Sequence, residues 1–293
     1  MDDVQGQREQ AVTDQVLASF ADAPSERFQL VLRTLVRHVH AAAREVRLTQ
    51  DEWFAAIDFL TRVGHKSDER RQEFVLLSDV LGLSMLTVGI NAGSDPAVTE
   101  STVFGPFFVE GSPRVELGGD LAAGVSGVPC WVEGTVLGVS GEPVAGARVE
   151  VWEADEDGFY DVQYESRRTG NRGHLFTDAG GGFRFWSVRP TAYPIPEDGP
   201  VGELLRTAGR GPMRPAHIHF LITAPGYRKL ITHLFAADDP YLDRDAVFGV
   251  KQSLIVKFTD HPAGEAPPAG GPQGAAWSSV RYDFVLAAQG APA

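Results

Sequence analysis

The chain has 293 residues, of which 43% are hydrophobic and 22% charged, and its formal net charge is −13. These proportions are ordinary for a globular protein, and the excess of negative charge argues against binding of nucleic acid through its phosphates. The single cysteine, Cys130, excludes an internal disulfide framework and any metal site built from several thiolates, and we expect it to be a small buried residue.

The N-terminal sequence MDDVQGQREQ is polar and lacks the apolar core of a signal peptide. An uninterrupted apolar run of about 18 residues, the length that a membrane span needs, does not occur. We therefore expect a cytoplasmic protein that does not cross a membrane.

Residues 12–93 have the spacing of α-helices. In the segment 24–46, apolar residues recur every three to four positions, which is the pattern of one helical face. They are Phe28, Leu32, Leu35, Val36, Val39 and Ala42.

Short patterns predict the ends of the later helices. Thr49 and Glu52 have the spacing of a capping box before WFAAIDFLTRV, and Gly64 is expected to end that helix. Ser67 is expected to open a further helix, whose apolar face lies in EFVLLSDVLGLSML.

Beyond residue 94 the chain changes to short alternating runs separated by glycine- and proline-rich turns, which predict β-strands. The predicted strands are 128–137, 147–152, 173–176, 183–188, 216–223, 229–235, 253–258 and 280–286, and residues 261–278 are predicted to be a surface loop. This pattern is typical of an antiparallel sandwich. We therefore predict an α+β fold, with a helical N-terminal domain at 1–95 and an antiparallel β-sandwich domain at 96–293.

The chain contains two H-x-H patterns. His217 and His219 lie in a predicted strand, where residues two apart share a face, and the pair could therefore supply half of a metal site. His38 and His40 lie in a predicted helix, where residues two apart diverge. A partly buried strand that happens to carry two histidines is the alternative interpretation at this point.

The other ligands could be of two kinds. A carboxylate would complete a ferrous site with two histidines and one carboxylate. Two of the six tyrosines could instead supply phenolates, whose charges together with one hydroxide would balance Fe(III). Composition and periodicity do not choose between these sets.

Longer motifs distinguish between the two ligand sets. Four segments together resemble the intradiol ring-cleavage dioxygenase family: STVFGPFFVEGSP (101–113), VEVWEADEDGFYDVQYE (149–165), the segment 172–205 that contains TAYPIP, and RPAHIHFLITAPGYRKLITHLF (214–235). The resemblance covers roughly residues 25–260. It implies one non-haem Fe(III) per chain, held by Tyr160, Tyr193, His217 and His219. Tyr193 matches the axial tyrosine that substrate displaces, Tyr160 matches the tyrosine that stays bound, and Tyr164 has no counterpart among the ligands.

The same resemblance implies two further catalytic residues. Arg214 matches an arginine beside the iron, where a fixed cation would stabilise developing negative charge. His233 stands where catechol-cleaving members usually carry glutamine and where the hydroxyquinol-cleaving group carries histidine. The helical N-terminal region argues against the protocatechuate branch.

The implied reaction is cleavage of hydroxyquinol (benzene-1,2,4-triol) by O₂, between adjacent hydroxylated carbons, to 3-hydroxy-cis,cis-muconate and its keto tautomer maleylacetate. Cleavage of catechol or chlorocatechols to cis,cis-muconates is one alternative. A non-catalytic β-sandwich module is another, because 132–152 also resembles strands of such modules. The implied partners besides substrate and O₂ are a second copy of the chain, bound through the helices, and a lipid at that interface.

A substrate cavity follows from both the residues and the resemblance. Asp79 shares a helical face with Leu76, and a carboxylate among apolar neighbours needs a partner, which the third hydroxyl of hydroxyquinol could be. A solvated helix position is the alternative for Asp79. The resemblance implies cavity positions at Leu76, Val103, Phe104, Gly105, Pro106, Phe107, Ile195, Pro196 and Val247.

Overall fold

The computed structural model describes residues 2–69, 71–164 and 169–290. By its internal contacts the chain divides into two compact units, Met1–Thr61 and Arg62–Ala293. The domain boundary that we place between residues 95 and 96 on sequence grounds stays a prediction.

Six α-helices lie in the described residues. They are α1 (Asp2–Ala18), α2 (Glu26–Glu45), α3 (Gln50–Lys66), α4 (Glu73–Val80), α5 (Leu83–Asn91) and α6 (Pro200–Thr207). Before α3, the Thr49 amide donates to Glu52 Oε2 at 2.8 Å and the Glu52 amide donates to Thr49 Oγ1 at 3.3 Å, so the predicted capping box is confirmed.

Three helix ends differ from the sequence-based prediction. Gly64 lies inside α3, which ends at Lys66, and the helix expected from Ser67 begins at Glu73. The apolar run expected to form one helix is divided between α4 and α5 at Gly82, whose φ of 74° is left-handed and suits a residue without a Cβ.

Helices long and apolar enough to cross a bilayer on their own do not occur among the described residues. Only α4 and α5 counted together reach that length and apolarity, and a bend of 76° separates them.

Twelve strands follow in the described part of the second unit. They are β1 (Pro129–Gly138), β2 (Arg148–Trp152), β3 (Arg172–Phe176), β4 (Gly182–Val188), β5 (Tyr193–Pro194), β6 (Met213–Arg214), β7 (His217–Thr223), β8 (Leu230–Ala236), β9 (Ile255–Val256), β10 (Thr259–His261), β11 (Trp277–Arg281) and β12 (Phe284–Leu286). One sheet has the order β10-β11-β1-β12 with β4 also paired to β1, the second has the order β3-β2-β7-β8-β9, and β5 pairs with β6.

The two five-stranded sheets share one apolar core. Along β7, Ile218, Phe220 and Ile222 lie in this core, and the Phe220 ring lies 4.9 Å from that of Phe284 on β12 in the other sheet. Alternate residues of a strand face opposite sides, so β7 presents its remaining residues to the outer side of the sheet. The α+β fold with a β-sandwich is therefore confirmed.

The sheets are mixed rather than purely antiparallel. β1 pairs in parallel with β11 and β12, and β8 pairs in parallel with β9. These strands enter the sheets after long connections rather than tight hairpins, and only a tight hairpin forces an antiparallel neighbour. Alternation within each run predicts a strand but carries no information about its direction.

We expect Phe220→Ala to lower the free energy of unfolding by about 3–5 kcal/mol, because it leaves a cavity between the sheets. Phe176→Ala is the matched control, since Phe176 on β3 is 38% exposed and its truncation opens no cavity. Denaturant titration followed by tryptophan fluorescence measures both, and equal losses in the two variants would contradict the assignment of Phe220 to the shared core.

Candidate metal centre

Two of the predicted histidines, His219 and His233, lie in a row of residues that crosses the second sheet on its outer face. Arg172 on β3 is opposite Trp152 on β2, Trp152 is opposite His219 on β7, and His219 is opposite His233 on β8. Directly opposed residues of neighbouring strands share a face. The Trp152 ring stacks on His219 at 4.6 Å between centroids, and the His219 and His233 rings lie 4.0 Å apart.

His217 shares this face because it lies two residues before His219, whereas Ile218 between them lies in the core. His217 Nδ1 lies 2.6 Å from the carbonyl oxygen of Pro215. A carbonyl can only accept, so Nδ1 carries the proton and Nε2 presents a lone pair. His217 Nε2 lies 3.2 Å from His219 Nε2. At this separation the two lone pairs would repel each other unless a proton or a cation lies between the nitrogens.

Two loops bring phenol oxygens to the same point. Tyr160 follows the turn after β2, and Tyr193 lies in β5, where it pairs with Arg214 of β6. The two hydroxyl oxygens are 3.0 Å apart, and Tyr193 Oη lies 3.4 Å from His217 Nε2. The four predicted ligand atoms thus form a continuous chain of contacts.

Two glycines allow these close approaches. Gly158 has a φ of +83°, and a Cβ there would lie 2.7 Å from Tyr193 Cβ. Gly105 has a φ of +76°, and its Cβ would lie 3.1 Å from His219 Cε1. A side chain at either position would meet a predicted ligand.

The electrostatics of the cluster suit a cation. Burial raises the pKa of Tyr160 well above its ordinary value, and burial likewise raises the pKa of Tyr193. Burial also lowers the pKa of His217, His219 and His233 well below the ordinary value, so the imidazoles are neutral at pH 7. A neutral imidazole can give a nitrogen lone pair to a metal ion, and a highly charged cation would stabilise the phenolate forms of the two tyrosines. Successive donor separations of 3.0–3.4 Å also suit atoms that share one ion at about 2 Å, so the residues fit a metal.

Arg214 brings a buried positive charge to this cluster. Its Nη1 lies 3.0 Å from His217 Nε2, and its Nε donates to Asp245 Oδ1 at 3.1 Å. Burial lowers the pKa of Arg214, but attraction to Asp245 and to the phenol oxygens outweighs burial and leaves that pKa above its ordinary value. Asp245 also accepts from the amides of Val247 and Gly249, at 3.2 and 2.9 Å, and so ties the arginine to the next loop.

His233 adds a third imidazole. Each of His217, His219 and His233 offers one ring nitrogen to a metal ion, and these three nitrogens lie within 4.8 Å of one another. His233 Nδ1 is hydrogen-bonded to Thr102 Oγ1, and its Nε2 has no hydrogen-bond partner among the residues that the structure describes. A donor set of three histidines is therefore a geometric alternative to two tyrosines and two histidines.

Asp79 is buried on α4, with 2% of its surface exposed, so the alternative of a solvated helix position is wrong. Burial raises the pKa of this carboxyl to about 6, although a hydrogen bond with Ser84 and the charge of Arg214 oppose the rise. The charge of Arg214, which contacts His217, therefore also acts on Asp79.

The remaining predicted cavity positions differ in exposure. Leu76, Val103, Phe107, Ile195 and Val247 are buried, as is the backbone at Gly105. Pro106 and Pro196 are partly buried, and Phe104 is 38% exposed. The Phe107 ring stacks on Tyr160 at 4.5 Å, whereas Phe104 packs on Trp152 at 5.8 Å.

Three residues that support the cluster were not predicted: Arg172, Asp245 and Thr102. Each acts through another side chain or its backbone, so none has a ligand type and spacing that would single it out. Thr102 and Arg172 lie within the motif segments 101–113 and 172–205, and Asp245 lies two residues before Val247, but these positions alone do not indicate their roles. The helical pair behaves as expected, because His40 Nδ1 is hydrogen-bonded to Thr13 Oγ1 at 3.0 Å and His38 is exposed.

Known proteins are similar to this chain in sequence. A family model described as "Catechol dioxygenase N terminus" matches residues 25–99, and one described as "Dioxygenase" matches residues 103–288. A hydroxyquinol 1,2-dioxygenase of Nocardioides simplex is 56% identical over 280 residues, which cover 96% of each chain.

Solved structures agree with the family models. A hydroxyquinol 1,2-dioxygenase from Pseudomonas putida DLL-E4 aligns with a TM-score of 0.88 and 48% identity, covering 97% of this chain and 100% of that one. A catechol 1,2-dioxygenase from Pseudomonas arvilla C-1 aligns with a TM-score of 0.84 and 29% identity, covering 97% of this chain and 92% of that one. With both family models matched and the tyrosine and histidine motifs gathered at one point, the chain belongs to the intradiol ring-cleavage dioxygenases.

Proposed function

We propose that this enzyme binds one Fe(III) per chain and cleaves hydroxyquinol with O₂ to 3-hydroxy-cis,cis-muconate, the enol form of maleylacetate. The observation that carries the proposal is the contact chain from Tyr160 Oη through Tyr193 Oη and His217 Nε2 to His219 Nε2. The similarity to proteins named hydroxyquinol 1,2-dioxygenases, at 56% and 48% identity, supports the choice of substrate.

Tyr160, Tyr193, His217 and His219 would hold the iron. When bound, Fe(III) supplies a Lewis acid that acidifies the two adjacent hydroxyls of the substrate and a redox centre that activates the ring towards O₂. Two anionic phenolates and two neutral imidazoles leave a small residual charge, which makes the ion tolerable in a site from which water is largely excluded.

The two tyrosines would have different tasks. Tyr193 pairs with Arg214, so its phenolate would act as a base towards a substrate hydroxyl while it remains close to a fixed cation. The Arg214 guanidinium would stabilise negative charge as it develops on the ring and on oxygen. His233 lies in the same row as His219, and its Nε2, which lacks a hydrogen-bond partner in the described part of the chain, would contact the substrate or its oxygen atoms.

Asp79 would select the triol. A buried carboxylate with a pKa of about 6 is ionised at pH 7, and beside its hydrogen bond with Ser84 it can accept another, which the third hydroxyl of hydroxyquinol can donate. Catechol has no hydroxyl at that position. The buried apolar residues Leu76, Val103, Phe107, Ile195 and Val247 would form flat walls around the ring, with the backbone at Gly105 and the partly exposed Phe104, Pro106 and Pro196 at the margin.

We expect Tyr193→Phe and Tyr160→Phe each to weaken the visible phenolate-to-Fe(III) absorption and to lower kcat by roughly 100-fold, since each removes an anionic donor. Tyr164→Phe is the matched control, because Tyr164 is 41% exposed and its hydroxyl is hydrogen-bonded to Asp155. Absorption spectra and iron content of the three purified holoproteins measure the effect.

The same measurement tests the three-histidine alternative. We expect His219→Ala to lose iron and His233→Ala to keep both the iron and the visible band. An unchanged spectrum in both active-site tyrosine variants, with loss of iron in His233→Ala, would contradict the two-tyrosine, two-histidine donor set.

Substrate choice is tested by O₂ uptake and product identification with hydroxyquinol, catechol and 4-chlorocatechol side by side. We expect the ratio of kcat/KM for hydroxyquinol to that for catechol to rise as pH rises through about 6, because Asp79 then becomes a carboxylate that accepts from the third hydroxyl. In Asp79→Asn this ratio should fall by roughly 10- to 100-fold, the value of one hydrogen bond to a charged group, and lose its pH dependence.

A wild-type enzyme that prefers catechol over the whole pH range would refute the proposed substrate and leave the family assignment intact. A colourless protein that does not bind iron and consumes no O₂ with any of the three compounds would favour a non-catalytic binding module.

A second copy of the chain is the proposed partner of the N-terminal helices. Within α2, all of whose residues are described, no residue is buried, although one face carries Phe28, Leu35 and Val39, each more than half exposed. An apolar helix face of this length in water indicates an interface. A homodimer would cover it, and a lipid could fill the space between the copies.

Sedimentation velocity should therefore give the mass of a dimer. We expect Leu35→Glu to shift the equilibrium towards monomer, because it places a charge on the apolar face, whereas Arg37→Glu on the opposite face of α2 should not. A wild-type monomer at micromolar concentration would contradict the dimer, and extraction of the purified protein with organic solvent tests for the lipid.

A further inference from the structure

A buried ion pair lies beside the predicted ligands, and neither of its members contacts the metal position. Arg172 Nη2 donates to Asp161 Oδ1 at 2.8 Å, and Arg172 Nε lies 3.2 Å from each oxygen of the same carboxylate. The side chains are 4% and 10% exposed. A guanidinium–carboxylate pair shielded in this way from water has a fixed geometry.

The pair joins the two segments that flank Tyr160. Asp161 directly follows Tyr160 in the chain, and Arg172 Nη2 also donates to the carbonyl oxygen of Phe107 at 2.7 Å. The Phe107 ring stacks on Tyr160 at 4.5 Å with an interplanar angle of 23°. One guanidinium therefore fixes both the covalent neighbour of Tyr160 and the ring against which Tyr160 packs.

The other end of Arg172 is anchored in the sheet. Arg172 is opposite Trp152, which is in turn opposite His219 and stacks on its ring. The side chain thus extends from the row that holds one predicted histidine ligand to the loop that holds a predicted tyrosine ligand. A hydrogen bond from the Tyr160 amide to Gln163 Oε1 at 2.9 Å fixes the loop locally. The Tyr160 ring meets the His219 ring edge-on at 5.9 Å, and Arg172 adds a charged, hydrogen-bonded connection between the loop and the strand row.

We propose that Arg172 is a positioning residue, which through Asp161 and the Phe107 carbonyl holds the Tyr160 oxygen in place relative to His219. The proposal rests on the function proposed above, because it assigns Tyr160 to the metal. It also gives a physical reason for the different tasks of the two tyrosines. Tyr160 is held by this clamp, whereas Tyr193, which would be the ligand that substrate displaces, lies in a two-residue strand.

The test compares Arg172→Gln, Arg172→Lys and Asp161→Asn with the wild-type protein, each loaded with Fe(III). Arg148→Gln is the matched control, because Arg148 lies on β2 four residues before Trp152 and forms an ion pair with Glu150 at 3.1 Å. The readouts are iron affinity by competition with a chelator, the position and intensity of the visible band, and thermal stability without metal.

We expect Arg172→Gln and Asp161→Asn to weaken iron binding by roughly 10- to 100-fold, the usual effect of removing a group that orients a ligand, and to shift and weaken the band. Arg172→Lys should have an intermediate effect, since an ammonium group cannot make the paired contacts of a guanidinium. The double variant Arg172→Gln/Asp161→Asn should lose no more affinity than Arg172→Gln alone, because the two residues act as one unit. Arg148→Gln should bind iron and absorb light as the wild type does.

Wild-type iron affinity and an unchanged band in Asp161→Asn and Arg172→Lys, with thermal stability lowered, would overturn the proposal and reduce the ion pair to a contribution to stability. A wild-type holoprotein that lacks the band altogether would overturn the proposed metal site itself, and this inference with it. Additive losses in the double variant would show that Arg172 and Asp161 do not act together and would equally overturn it.

Discussion

The alternation of side chains along β7 is the constraint on which the rest of the site depends. Ile218, Phe220 and Ile222 are held in the core between the sheets, and this fixes His217 and His219 on the outer face. A shift of the strand by one residue would turn both imidazoles into the core and three large apolar side chains towards the phenol oxygens. The same burial that stabilises the sandwich therefore fixes the imidazole pair, so fold and site cannot be varied independently at this strand.

Charge balance is the second requirement of the site. Burial disfavours phenolate and imidazolium alike, so the cluster on its own is composed of neutral phenols and neutral imidazoles. The permanent charge is that of Arg214, which Asp245 offsets at 3.1 Å. A cation bound by both phenolates, as proposed, would have to be strong enough to displace two phenolic protons.

Rigidity is distributed unevenly among the donors. The histidines belong to a central strand, and Tyr160 is fixed by a stacked ring, a backbone hydrogen bond and a buried ion pair next to it in the chain. Tyr193 belongs to the two-residue pairing of β5 with β6. If Tyr193 is the ligand that substrate displaces, as proposed, this asymmetry would keep the other three donors in place during the exchange.

The amino-acid sequence by itself determined the helical and strand-rich regions, the face shared by His217 and His219, and, through long motifs, the family and the four candidate ligands. These features are local, because each depends on the spacing of residues within one segment. The sequence did not determine the direction of β11 and β12 or the break at Gly82, since both depend on where the chain returns in space. Nor did it reveal Arg172, Asp245 and Thr102, whose partners lie 11, 31 and 131 residues away. Only the tertiary structure decides such pairs, because a buried charge or hydroxyl acquires its role from the group that it meets after folding.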